Sequence, residues 1–192
     1  MADEAPRAST RERILDAAFD LFVEEGFSGT TITEVERRVG LTPGTGSFYR
    51  HFPSKGALLE AAVQHEIERV RGEIAVAREV PPVADDPMAS RVLGLELALR
   101  DIRRFDRLFR LLLSEGDRVP ELRETITAAL TPPQELLTWE DDPTTVLSIA
   151  ALAGYHFASL LQGRPFQGVA QDEFIAGLAR LTGAVPDGRQ AG

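Results

Sequence analysis

The chain of 192 residues has no cysteine, which excludes disulfide bridges, thiolate nucleophiles and cysteine-ligated metal sites. Its three histidines, His51, His65 and His156, lie in separate segments with no second ligand at helical spacing, so no metal is expected. A glycine-serine elbow, a phosphate loop and a dinucleotide fingerprint are all missing, and without them no catalytic residue and no cofactor can be assigned. Lysine occurs once, at Lys55, and tryptophan once, at Trp139. The start, Met1 to Pro6, is acidic and polar, unlike a signal peptide, and no uncharged apolar run is expected to approach the roughly 18 residues of a membrane span. A cytoplasmic protein with no membrane partner is the expectation.

The composition that remains is ordinary for a globular protein, with 43% hydrophobic residues and a net charge of -9. The charge is unevenly placed. Between Thr31 and Lys55 the cations Arg37, Arg38, Arg50 and Lys55 outnumber Glu34 and Glu36, whereas Ala61 to Gly192 carries 14 basic against 20 acidic residues. A neutral-to-basic segment on an acidic body suits binding at chosen sites on a polyanion, with weak non-specific affinity.

That segment has the local signals of two helices and a tight turn. Thr31-Ile32-Thr33-Glu34 fits a capping box, and Ile32, Val35 and Val39 form one apolar stripe, with Glu36, Arg37 and Arg38 pointing elsewhere. Gly40 closes the first helix. Thr42 is suited to cap the second, with Pro43 in its first turn, where the missing N–H costs nothing. The second helix would run through Thr45, Ser47, Phe48, Tyr49, Arg50, His51 and Phe52, and Ser54 would cap a long helix beginning near Lys55 and ending near Arg78. Hydroxyls, a phenol, a guanidinium, an imidazole and an ammonium at this density can contact both phosphate oxygens and base edges. Upstream, Thr10 is placed to cap a helix that Gly26 stops, with Ile14, Ala18, Leu21 and Phe22 on one stripe.

From Thr10 to about Leu59 the chain resembles the DNA-binding domain of the tetracycline-repressor (TetR) family. The resemblance is carried by Ile14-Leu15-Asp16-Ala17-Ala18 with Phe22 and Gly26, by Thr30-Thr31-Ile32, and by Phe48-Tyr49-Arg50-His51-Phe52-Pro53-Ser54-Lys55. Gly44-Thr45-Gly46 lengthens the segment before the tyrosine relative to the family's commoner spacing. The resemblance implies an all-α homodimer whose paired helix-turn-helix units read a palindromic operator in double-stranded DNA, with repression relieved by a small-molecule effector. It implies DNA contacts at Thr31, Thr33, Thr42, Thr45, Ser47, Tyr49, Arg50, His51 and Lys55, with Arg50 and Lys55 on phosphates and Thr31 and Thr33 on the flanking ones. Two other function classes are a helical dimeric interaction module that does not bind DNA and an enzyme with an apolar pocket.

The linear division is a flexible tail at 1–9, the helix-turn-helix domain at 10–56, a helical ligand-sensing and dimerisation domain at 57–185, and a disordered tail at 186–192. The break Val80–Pro87 precedes a segment from Met88 to Glu115 with apolar residues on more than one side. Leu95, Leu99, Ile102, Phe105, Phe109 and Leu112, with Trp139, are candidates for the wall of an effector pocket, with plain core as the competing reading. Arg100, Arg103, Arg104, Arg107 and Arg110 form a basic stripe. Glu96 and Asp106 lie four residues before Arg100 and Arg110, which predicts a solvated face of ion pairs. The helix from Pro143 to about Gln162 and a last one through Leu181 present Ile149, Ala150, Ala153, Gly154, Phe157, Leu161, Phe174 and Leu178, which two copies of the chain would close into a four-helix interface.

Overall fold

The computed structural model describes residues 9–44, 48–77, 86–117, 119–130 and 143–183, and the regular structure among them is all helical. In chain order the helices are α1 (Thr10–Gly29), α2 (Ile32–Arg38), α3 (Lys55–Ala77), α4 (Pro87–Arg103), α5 (Asp106–Glu115), α6 (Pro120–Leu130), α7 (Pro143–Gln162) and α8 (Gln171–Gly183). The chain divides into two compact units. One joins Met1–Glu73 to Asp106–Thr131 and the other joins Ile74–Phe105 to Pro132–Gly192. Each unit is therefore discontinuous in sequence.

In the first unit, α1 is started by Ser9, one residue before the expected cap. The Ser9 hydroxyl accepts the Glu12 N–H at 3.2 Å and the Glu12 carboxylate accepts the Ser9 N–H at 2.6 Å, so two orphan donors are satisfied reciprocally. Gly26 does not stop the helix but kinks it, at φ 73 and ψ 172, and helix resumes to Gly29. The positive φ is what calls for glycine at position 26; a Cβ there would also stand 2.5 Å from Oε1 of Glu115, whose carboxylate would have to shift. The buried face of α1 comprises Ile14, Leu15, Ala17, Ala18, Phe19, Leu21 and Phe22. It packs on α2 and α5, and α5 packs on α6. Leu58, Leu59, Ala62, Val63, Ile67 and Val70 seal α3 into the same unit.

A charged network joins α1, α3 and α5 around the nearly buried Glu66. Arg69 grips both Glu66 oxygens at 2.7 Å, and Arg107 lies 3.6 Å from the same carboxylate. Arg107 also bonds Asp20 and covers the Phe19 ring at 4.7 Å, while His65 meets Asp16 at 3.1 Å. Arg107 is thus a tertiary contact, as is Arg103 with Gln171, whereas Arg104 pairs with Asp101 at 3.7 Å three residues before it, a local ion pair of the kind expected for this stripe.

The segment Met88 to Glu115, expected as one stretch, breaks at Arg104–Phe105 into α4 and α5, which belong to different units. The break explains why its leucines occupy more than one side. Leu95 and Leu99 are buried with Leu152, Ile175 and Ala179 in the second unit, whereas Leu108 and Leu111 are buried in the first. In the second unit α4 packs against both α7 and α8. Asp86 caps α4 by accepting the Ala89 N–H at 2.7 Å. The Tyr155 ring of α7 stacks on Phe174 of α8 at 4.2 Å, and its hydroxyl donates to the Val169 carbonyl at 2.8 Å.

One expectation about the second unit fails. The 19-residue stretch Thr144–Gln162 has a hydropathy of 1.4 and is long and apolar enough to cross a membrane by length and composition. Threonine, serine, Tyr155 and His156 interrupt its apolar residues without adding a fixed charge. In the structure this helix buries Leu152, Tyr155 and His156. The tail at 186–192, Trp139 and residues 80–85 of the Val80–Pro87 break lie outside the described residues.

Candidate nucleic-acid interface

Thr31 caps α2, its hydroxyl accepting the Glu34 N–H at 3.2 Å, but Glu34 turns its carboxylate to Arg37 and does not complete the reciprocal box. The helix is only 7 residues long and ends before Gly40, which takes φ 75. Beyond it the chain is held by Glu36. Although assigned to the outer face by its spacing, this side chain is buried, and its carboxylate accepts the Gly44 N–H at 3.1 Å while its carbonyl accepts the Leu41 N–H at 2.8 Å. A carboxylate taking a backbone donor is a strong bond in such surroundings. It fixes the return of the chain after α2.

Among the described residues of the motif's second segment the start is irregular, as the glycines at 44 and 46 lead one to expect, and none is α-helical. Pro43 and Gly44 form a turn, Gly44 adopts φ 78, and the segment next described is a 3-10 turn at Phe48–Arg50. A left-handed residue one position after Pro43 does not continue an α-helix, so no regular helix starts at Pro43. Thr45 and Ser47 lie outside the described residues.

From Phe48 the geometry sorts side chains into two directions. Phe48 and Phe52 are buried, their rings 5.7 Å apart, and the His51 and Phe52 N–H groups bond the Phe48 carbonyl at 2.9 and 3.1 Å. Arg11 of α1 covers the Phe52 ring at 5.3 Å. With the two phenylalanines anchored inward, Tyr49, Arg50 and His51 face solvent, Tyr49 at 63% exposure with its ring edge-on to Phe48. Thr31, Thr33 and Thr42 are exposed as well. A phenol, a guanidinium, an imidazole and hydroxyls displayed from a rigid base can donate to phosphates and to base edges together.

The cations are more committed than their count suggests. Arg37 bonds Glu34, Arg38 meets Glu24 at 3.0 Å, and the Lys55 ammonium donates to the Thr30 carbonyl at 2.9 Å while lying 4.4 Å from the centre of the Phe27 ring. Among the described residues Arg50 is the cation of this segment with no ion-pair or hydrogen-bond partner. Glu36, Arg13, which bonds the Val39 carbonyl, and Phe27 are site-building residues that spacing did not indicate. Their signal is tertiary.

A family model described as bacterial regulatory proteins, tetR family, matches residues 14–62, which include α1, α2, the 3-10 turn and the start of α3. Residues 14–62 carry a tetR-family domain. Over 67 residues the TetR-type domain is 39% identical to the HTH-type transcriptional regulator SrpR of Pseudomonas putida, covering 33% of this chain and 30% of that protein. Over 74 residues it is 38% identical to UidR of Escherichia coli, covering 38% and 34%. The alignments thus span about a third of these curated relatives. In fold the whole chain is similar to a TetR transcriptional regulator from Chloroflexus aurantiacus, with TM-score 0.59, 22% identity and 90% and 91% of the two chains covered. It is similar to the same degree to the multidrug binding protein EbrR complexed with proflavin, with TM-score 0.59, 22% identity and coverage of 91% and 99%.

The residues expected to line an effector pocket are distributed differently from a single helix face. Leu95 and Leu99 are sealed in the core of the second unit, and Ile102 packs on it. Ile102 and Phe105 of that unit are half-buried, as are Phe109 and Leu112 of the first. The first unit has its own small apolar recess of about 190 Å³ between α3 and α6, floored by Leu59, Val63 and Leu122, which contains none of these residues. Of the residues expected at a dimer interface, Ala150, Gly154 and Leu161 are exposed, and Ile149, Ala153, Phe157, Phe174 and Leu178 are half-buried.

Proposed function

We propose that this protein is a ligand-responsive transcription regulator, a cytoplasmic repressor that binds a palindromic operator as a homodimer. The observation that carries this reading is the display of Tyr49, Arg50 and His51 from a turn whose Phe48 and Phe52 are locked into the core. Residues 10–56 act as the DNA reader, and residues 57–185 hold the effector and the second subunit. Arg50 contacts phosphate, Tyr49 and His51 contact base edges or backbone, and Thr31, Thr33 and Thr42 with Thr45 and Ser47 complete the footprint. The exposed face of α7, with Leu147 and Leu161 flanking Ala150 and Gly154, supports apposition of two copies, because small residues let helices approach closely.

Regulation follows as a population shift. An apolar effector that binds one conformation of the body more tightly moves the paired readers away from half-sites one turn apart, about 34–36 Å, and DNA is released. Half-buried Ile102 and Phe105 offer apolar surface for it. The test is selection of bound fragments from genomic DNA followed by footprinting. The expected result is a two-fold symmetric protected site, with Arg50→Ala weakening all selected sequences and lowering the salt slope by about 0.9 per lost phosphate contact. Absence of any sequence-selective complex at low salt overturns the proposal.

A further inference from the structure

The helix α2 is too short to persist without help, since isolated helices of a few turns are marginal in water. Its help comes from two cations spent on main-chain oxygens at its two ends. At the start, the Lys55 ammonium of α3 donates to the Thr30 carbonyl at 2.9 Å and sits on the Phe27 ring at 4.4 Å. Thr30 is itself buried and fixed, its N–H and hydroxyl both donating to the Gly26 carbonyl at 3.2 and 2.9 Å. At the far end, the Arg13 guanidinium of α1 donates to the carbonyl of Val39. We propose that Lys55 and Arg13 are positioning residues that staple α2 to its neighbours, and that the contribution of Lys55 to operator recognition is made through this staple and not through a phosphate.

The choice of residue agrees with the geometry. Lysine appears once among 21 basic residues, at the place where a compact ammonium on a flexible stem must fit between a carbonyl and a ring face. An ammonium meets the Thr30 carbonyl as a point donor, whereas a guanidinium presents its donors in a fixed planar fork of different reach. The staple also gives α2 a fixed setting beside the 3-10 turn at Phe48–Arg50.

The inference rests on the DNA-binding reading for its functional readout, so the experiment has a second readout that needs no DNA. Lys55→Met, Phe27→Leu and the double variant are compared in the full chain, well below the unfolding temperature. Each single variant should weaken binding to the selected operator about tenfold, with the double no worse than either single and the slope of log K against log salt unchanged. Lys55→Arg keeps the charge but should recover only part of the affinity. A phosphate ligand would behave otherwise: Lys55→Met would reduce the slope by about 0.9 per subunit, Phe27→Leu would be neutral, and Lys55→Arg would restore binding, any of which overturns the proposal. Independently, amide exchange in α2 from Val35 to Val39 should accelerate in both single variants. Unchanged exchange overturns the staple even if no operator is found, whereas faster exchange without any DNA binding leaves the staple standing and removes the regulator.

Discussion

The two units dispose of apolar surface in different ways. In the first, Phe19, Phe22 and Phe48, with Ile14, Leu15 and Leu21, are fully sealed, and the chain supplies every wall itself. The second gathers a smaller cluster around Leu95, Leu99, Leu152, Ile175 and Ala179, and leaves Leu147 at 66%, Leu161 at 64% and Leu181 at 72% exposure. Under the proposed function, the open leucines of α7 are the surface that a second copy covers. The first unit seals its large aromatic core within one chain, whereas the second keeps only a small cluster to itself.

The largest effect expected from this contrast is on assembly. Leu147→Glu with Leu161→Glu should leave the single chain folded, with a stability change within about 0.5 kcal/mol, yet convert the dimer to a monomer in sedimentation velocity and lower operator affinity with it. Sedimentation identical to wild type would show that α7 is not the covered face. Next, Phe22→Ala in the sealed unit should cost about 3–5 kcal/mol in urea unfolding; a cost under about 1 kcal/mol would mean that this core is not closed. Gly26→Ala forces a side chain into a glycine-only conformation beside Glu115 and should cost roughly 1–3 kcal/mol, read from the same transition.

The smallest effect is electrostatic. Hydrogen bonding to the Ser9 backbone and then its hydroxyl holds the Glu12 carboxyl below its ordinary value of 4.5. A carboxyl held low in the folded state contributes stability above that ordinary value and loses it as pH falls through the lowered one. Frayed amides at residues 10–13 should therefore appear by NMR only in acid for the wild type. In Ser9→Ala, which removes a cap worth about 1 kcal/mol, they should appear already at neutral pH. Equal fraying in both proteins at all pH values would dismiss the box.

Local chemistry made much of the first unit legible. The threonine before α2, the left-handed glycine at position 40, the helix starting beside Ser54 and the phenylalanines of the turn all act through near neighbours, and near neighbours are what a sequence displays. Glu36, Lys55 and Arg107 were not legible, because their partners, Gly44, Thr30, Asp20 and Glu66, are set by how helices meet. Spacing along one helix shows none of these intramolecular contacts: Glu36 is buried, and Lys55 and Arg107 are half-buried against neighbouring helices. The break at Arg104–Phe105 was hidden for the same reason. An apolar pattern covering more than one side fits one helix between two surfaces or two helices in separate cores, and spacing alone does not choose between them.

Glu115 behind the kink at Gly26 ties the beginning of the chain to a residue delivered much later. A ribosome making this protein releases all of α1 to α3 before it has polymerised α5, the back wall against which α1 packs. The nascent DNA-reading half must therefore wait, with its rear leucines and phenylalanines uncovered, while the intervening helix of the other unit is synthesised. Fragments cut at the end of α3 would inherit that unfinished state, and a holding chaperone should retain them where the full chain is let go.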